Sequence, residues 1–509
     1  EARRALIQYA ADHPYRPGGL PCPDRTFPPD GVADEPCTTP AERIGRLPWR
    51  SLGIGDPVAL GDEPLWYVVA AQFWVDSDFT GGWADTRPIN TFFINSNTRG
   101  SLRLFQRQPD IAPGSVVMAN EVPAMVIAPG RALGGQSRPS ANVADYLEYD
   151  NADLVNDDFE SGEAVADFND RAVTLTHAEL FEAVEAAVEQ RLRTTVMPEL
   201  IRYRRPAHPT SPFWNAYPFA VPFADPTPAA GATDLAYRLR TSTALRAGLL
   251  PISTVDTVNP VSWNAASAAA TTSDPGITVG PCTPVGTSTI NCQVTASVDG
   301  SFTLSATMTN AGRAFLRPLR PTDILPPNLV TITGVTVTST AADASATLAI
   351  TGTVNAGATG PIVIPVAAYQ LELTGLSPVE QPFSGFAPIA WFMRNRWFDL
   401  VYYVFAPGAE FGGGGTGCVA GAGCISVINA NASGATINNA EVALVLMGRP
   451  YTGPIPAIGV PAGQSRSPAP VDALNQYLET AENLIVPPVA LHHSAGRGNF
   501  NDRVAYDAR

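Results

Sequence analysis

The chain has 509 residues, too many for one hydrophobic core, so several domains are expected. Only 16% of the residues are charged and the formal net charge is −15, which opposes unguided binding to nucleic acid or anionic lipid, since both need clustered cations. No lysine occurs, which removes Schiff-base chemistry and the lysine of a Walker phosphate loop.

The chain opens EARRALIQYAADHP, a short helical pattern ending in His13-Pro14. A proline-rich loop follows, bracketed by Cys22 and Cys37; fixed φ at each proline and a disulfide would hold it in one shape. Then come Gly45-Arg46-Leu47-Pro48-Trp49 and a strand-like run from Leu65 to Ala70, and later a second strand-like run, Pro123 to Ile127. The segment from Thr176 to Tyr203 reads as a long amphipathic helix. Thr176 with Glu179 forms a capping box, and Leu180, Val184, Val188, Leu192, Val196 and Leu200 recur every fourth residue as one apolar packing stripe. At about 1.5 Å per residue the rod would be roughly 40 Å long, with Pro198 expected to kink its last turns.

The end of this helix looks like the start of the chain. Leu200-Ile201-x-Tyr203 aligns with Leu6-Ile7-x-Tyr9, and His208-Pro209 with His13-Pro14. Downstream, Gly248-Leu249-Leu250-Pro251 answers Gly45 to Pro48, and Glu441 to Met447 answers Glu121 to Ile127. Gly135-Gln136-Ser137-Arg138 recurs as Gly463 to Arg466, Tyr146-Leu147-Glu148 as Tyr477 to Glu479, and Phe168-Asn169-Asp170-Arg171 as Phe500 to Arg503. Matches in one order predict a tandem duplication. The second copy has far more helix before its Leu-Ile-x-Tyr than the first, so the first helix is expected to continue upstream of Glu1.

Between Ser253 and Phe383 the second copy carries an insert rich in Thr, Ser, Val and Ala and nearly free of charge. It alternates with period two at Ser301–Met308 and Leu329–Val337, and Val298-Asp299-Gly300 supplies turn chemistry between two such runs. Short strands with turn signals predict an inserted β-sandwich.

The order helix, LPCPD, DG, Cys, GRLPW, LG, LWYVV resembles pilin-like proteins of proteobacteria, relatives of type IV pilins and type II secretion pseudopilins. That resemblance implies an α+β fold of two tandem pilin-like units, each a long N-terminal helix with a small antiparallel sheet. The expected domains are 1–175, 176–252 with 384–509, and the inserted all-β sandwich 253–383. It also implies an upstream hydrophobic helix as the inner-membrane anchor, other pilin-like subunits as partners, and export to the cell surface of a Gram-negative bacterium.

Six cysteines, Cys22, Cys37, Cys282, Cys292, Cys418 and Cys424, fall as three close pairs. Sequence alone leaves the connectivity open, although local pairing is the simplest scheme because each pair brackets a Gly/Pro-rich loop. An even set closing loops points to the periplasm or the exterior. None has CxxC or His-interleaved spacing, which speaks against zinc or haem. Asp157, Asp158 and Glu160, with Asn156, offer the oxygen ligands a calcium ion takes, but they match no EF-hand loop and read better as a solvated acidic loop. Among the five histidines, His13 and His208 fit structural turns, His177 a solvated first helical turn, and His492-His493 neighbours pointing to opposite faces. Gly412 to Gly415 reads as a loop, without the motif of a phosphate cradle. Phe168 to Arg171 and its twin are expected to make a turn with an Asp–Arg contact leading into a helix.

These readings predict a non-catalytic structural subunit of a type IV pilus-like or pseudopilus filament, with no cofactor and no nucleic-acid partner. The alternative is an adhesin whose inserted sandwich binds a surface glycan or protein.

Overall fold

The computed structural model describes residues 1–57, 63–75, 93–108, 114–204, 217, 220, 223, 246–250, 262–263, 269–285, 289–309, 330–341, 345–365, 391–392, 395–409, 418–419, 423–429, 434–466, 473–485, 488, 490–494 and 500–508. The chain divides into two compact units, Glu1–Gln190 with Leu376–Trp397, and Arg191–Gly375 with Phe398–Arg509.

The first unit begins with helix α1, Ala2–Asp12, which buries Leu6 and Ala10. Pro14 ends it: the ring disfavours helical backbone in the preceding residue, and His13 turns out to φ −56°, ψ 116°. Strands β1 (Ile44–Arg46), β2 (Trp66–Val69), β3 (Leu102–Arg107), β4 (Val117–Val122), β5 (Ala124–Ala128), β6 (Asp158–Gly162) and β7 (Arg171–Leu175) follow. One antiparallel sheet has the order β1-β2-β5-β7, and a smaller one the order β4-β3-β6. All four residues of β2 are buried, as an internal strand covered on both faces requires; edge strand β7 shows Val173 to solvent and buries Leu175. Helix α2, His177–Arg191, closes this part of the chain. Its capping box forms: the Thr176 N–H donates to Glu179 Oε2 at 3.1 Å and the Glu179 N–H to Thr176 Oγ1 at 3.3 Å. After the insert, Asn395 returns to this unit, donating from Nδ2 to the Tyr15 carbonyl at 2.7 Å, while Asn95 donates to the Asn395 carbonyl at 3.0 Å.

The second unit starts in the same helical run. A π-helical turn, Leu192–Val196, leads into α3, Met197–Arg204. Pro198 lacks the N–H that would bond four residues back, and the chain absorbs this in the widened turn before it, where Thr195 Oγ1 donates to the Arg191 carbonyl at 2.7 Å. The disturbance falls earlier than the kink expected in the last turns.

Strands β8 (Ala247–Leu249), β17 (Val401–Phe405), β18 (Ile425–Ile428), β19 (Ile437–Leu446), β20 (Ala490–His492) and β21 (Arg503–Ala508) form the sheet β20-β18-β19-β17-β8, with β21 also on β19. A 3-10 turn, Trp397–Leu400, precedes its aromatic strand β17. Within the insert lie β9 (Ser262–Trp263), β10 (Ala269–Thr271), β11 (Ile277–Val285), β12 (Thr289–Ala296), β13 (Gly300–Thr309), β14 (Val330–Ala341), β15 (Ser345–Val354) and β16 (Thr359–Pro365). They make two sandwich-like sheets, β10-β13-β15-β14 with β9 beside β13, and β11-β12-β16. The Val298–Gly300 turn therefore carries the chain from one sheet to the other; it joins β12 and β13, which do not pair.

The pilin-like α+β reading is overturned. Among the described residues the one substantial helical run is 177–204, α1 has only 11 residues, and the rest is strand in several sheets. No long N-terminal helix and no pair of tandem helix-plus-sheet units is present there, and no described helix is long and apolar enough to cross a membrane. Apart from the opening helix α1, the motifs behind the resemblance lie in loops and in strands β1 and β2. What recurs is an antiparallel ladder: β1-β2-β5-β7 in the first unit and β8-β17-β19-β21 in the second.

Thr176→Ala removes the hydroxyl that caps α2 and should lower stability by about 1 kcal/mol. An unchanged urea midpoint would show that the cap is not needed.

Candidate functional site

The repeated tetrapeptides converge on one cluster of buried polar side chains in each unit. In the first, Arg138 lies across the Tyr146 ring, 4.7 Å from its centroid. Its guanidinium donates to the carbonyls of Gly130 (2.7 Å), Tyr146 (3.1 Å) and Asp145 and to Gln136 Oε1 (2.8 Å). In the second, Arg466 lies 4.8 Å from the Tyr477 centroid and donates to the carbonyls of Gly448, Gln476 (2.8 Å) and Tyr477 (3.3 Å) and to Gln464 Oε1 (3.2 Å). A planar fork of five donors suits this task; a lysine ammonium does not.

Beside each arginine sits a carboxyl pair. Asp170 Oδ2 accepts from the Glu148 N–H at 3.0 Å and from Asn151 Nδ2 at 2.9 Å, and Glu148 Oε2 accepts from the Asn169 N–H at 3.1 Å. The second unit repeats this: Asp502 Oδ2 accepts from the Glu479 N–H at 3.2 Å and Asn483 Nδ2 at 3.0 Å, and Glu479 Oε2 from the Asn501 N–H at 2.9 Å. Asn151 also pairs both backbone groups of Glu160, and Asn483 both of His492. Asn169 and Asn501 reach the carbonyls of Arg131 and Arg449, passing so close to Gly130 and Gly448 that an added Cβ would lie 2.1 or 2.2 Å from their side chains. Glycine is required there by space.

Both aspartates are fully buried. Burial, and next the neighbouring Glu148, raise the Asp170 carboxyl from the ordinary 3.8 to about 7. Burial and then Glu479 push Asp502 well above its ordinary value. Two carboxyls in one dry site can hold a proton between them, which is the raw material of acid–base catalysis. Here Oδ2 of each aspartate and Oε2 of each glutamate accept from backbone N–H groups and asparagines, so the arrangement grips loops.

The acids proposed for calcium are dispersed onto separate arginines. Asp157 pairs with Arg43 at 2.6 Å, Asp158 with Arg103 at 2.7 Å, and buried Glu160 with Arg107 at 2.7 Å. Among the described residues no group of three or more His, Cys, Asp or Glu could hold a metal ion. The structure pairs Cys22 with Cys37, Cys282 with Cys292, and Cys418 with Cys424; Cys282 and Cys292 face each other across β11 and β12. All six stripe residues of the helix, Leu180 to Leu200, are fully buried. His13 is buried and its Nδ1 accepts from the Arg16 N–H at 3.0 Å. His177 is half-buried against the Phe181 ring at 4.5 Å, so it is not the solvated residue expected. His492 lies near Glu482, and buried His493 accepts at Nδ1 from the Val504 N–H at 2.8 Å. His208 and Gly412 to Gly415 lie outside the described residues.

Phe168 to Arg171 and Phe500 to Arg503 lead into strands β7 and β21, not into helices, and their aspartates face a glutamate and an asparagine instead of the adjacent arginine. Sequence reasoning missed Asn151 and Asn483 because they lie three and four residues after their glutamates, an offset that breaks the alignment. It also missed Gly130-Arg131 and Gly448-Arg449, a repeated dipeptide that could have been found. Arg204, the buried ion partner of Glu441, was missed too; its guanidinium stacks 4.8 Å from the Tyr217 centroid.

No family model, curated protein or solved structure matches the chain.

Arg138→Lys and Arg466→Lys should each lower stability by about 2–4 kcal/mol, because several buried carbonyls lose their donor. Arg103→Lys, at a half-exposed pair, should cost less than about 1 kcal/mol. Denaturant midpoints of the three variants check the ranking.

Proposed function

We propose that this protein is a non-catalytic structural component of the periplasm or cell exterior that displays the sheets formed within residues 253–383. The observation that carries the reading is the polar chemistry of the two clusters: buried arginine, carboxyl and asparagine groups bind the chain's own backbone. Three disulfides belong to an oxidising compartment. A displayed module suits this plan, since its strands are joined to the unit at both ends and add sheets without altering the β8-β17-β19-β21 ladder.

A second reading, an adhesin, is favoured by the exposed side of β10, β13 and β15. There Thr271 stands opposite Thr303, Thr303 opposite Thr351, and Ser301 opposite Thr353, while Phe302, Leu304 and Val354 face inward and are buried. A hydroxyl-bearing sheet face can exchange hydrogen bonds with a glycan without displacing charge.

Fractionation of the producing cells, with thiol labelling before and after reduction, tests the structural reading. The expected outcome is periplasmic or surface protein whose six cysteines react only after reduction. Cytoplasmic protein with reactive thiols would overturn it, as would a hydrolytic activity abolished by Asp170→Asn. Saturable binding of the full chain on a glycan array, lost on Thr303→Glu with Thr351→Glu, would select the adhesin.

A further inference from the structure

The two carboxyl clusters share a plan but differ in their surroundings. In the first, Glu148 Oε1 accepts from Gln136 Nε2 at 2.8 Å, and Arg138 lies 3.0 Å from Glu63, so Glu63 competes for the arginine. Other charges near Asp170 include the Arg107–Glu160 pair, reached through Asn151, and Arg171, the residue after it. In the second, Arg466 lies 4.0 Å from Glu479 itself, and His492, His493 and Glu482 sit on the adjoining segment. Asp170 Oδ1 and Asp502 Oδ1 are both buried without a hydrogen-bond partner as ionised oxygens, an arrangement a proton on the carboxyl would resolve.

We infer that the Glu148–Asp170 carboxyl pair is a proton lock: one shared proton holds the loop of residues 136–148 against the start of β7, and loss of that proton releases the loop. Two anions cannot remain in contact in a dry site, and with its arginine engaged by Glu63 the first pair must admit water to separate them. Asn151 and the Glu148 N–H bind the same aspartate oxygen, so the segments they belong to move together.

The folded state holds one more proton than the unfolded chain between the ordinary carboxyl value of 3.8 and about 7 for Asp170. The lock is therefore fully closed at acidic pH, weakens as pH rises through this window, and opens above it. Burial and then Glu479 raise Asp502 in the same direction.

Hydrogen-exchange mass spectrometry of the full chain between about pH 5.5 and pH 8.5 tests this. After correction for intrinsic exchange, peptides covering 141–152 and 164–171 should lose protection by about tenfold per pH unit up to about pH 7 and level off above it. Asp170→Asn, which supplies a permanent donor in place of the shared proton, should abolish the slope, and Asp502→Asn should leave it. If Asp170→Asn does not fold, Glu148→Gln is the second variant; it removes the opposing anion and should make the loss of protection level off at a lower pH. A flat wild-type profile, or the same profile in the variant, overturns the proposal.

Discussion

Each unit depends on one buried aspartate at the start of its closing strand. Asp170 and Asp502 lie at the starts of β7 and β21, where a charged group in an apolar surrounding is costly unless donors converge on it. The donors come from elsewhere in the chain: a backbone N–H from the Tyr-Leu-Glu segment and an asparagine amide that also ties down residue 160 or 492. Once those bonds form, the closing strand, the loop before it and the arginine-held loop have one arrangement. Satisfying the aspartate is what positions the loops.

Burial of donors explains why arginine is so heavily used. Arg138 and Arg466 each collect carbonyls from irregular loops that lack a strand partner, and an irregular segment inside the protein must satisfy its carbonyls somehow. The aromatic ring beneath each guanidinium supplies a flat apolar floor, so the cation is shielded on one face and bonded at its edges. In the second unit Arg204 adopts a similar solution with Tyr217 beneath it and Glu441 as counter-ion. Its counterpart by sequence in the first unit, Glu121, is instead exposed at φ 53°. Equal residues at matched positions thus serve one ladder as buried ion and the other as surface charge.

The sequence made local chemistry readable and long-range context hard to read. The capping box at Thr176 and the apolar stripe from Leu180 to Leu200 are encoded within a few turns, so the helix was legible. The repeated peptides led to the sites because their residues act together, and local cysteine pairing needed only short loops. The pilin-like architecture failed because its evidence lay in loop motifs, which say how a turn is held but not what packs upon it. Asp157, Asp158 and Glu160 look like one ligand set on a line, yet β3 runs parallel to β6 and draws two of them to arginines of its own. The Val298–Gly300 turn has hairpin composition, but composition cannot show that the next strand joins another sheet.

Between the twin clusters the ligand chemistry of the aspartate is preserved while its counter-charges change. In the first, Arg138 pairs with Glu63 at 3.0 Å; in the second, Arg466 lies 4.0 Å from Glu479 itself. A neighbouring charge shifts proton affinity without changing any bonded partner. A duplicated cluster can therefore diverge in its response to pH while keeping the same geometry, and the residues that set the divergence lie outside the repeated motifs. Glu63 belongs to none of the matched peptides, which is why the motifs alone identify the clamps and say nothing of their strength.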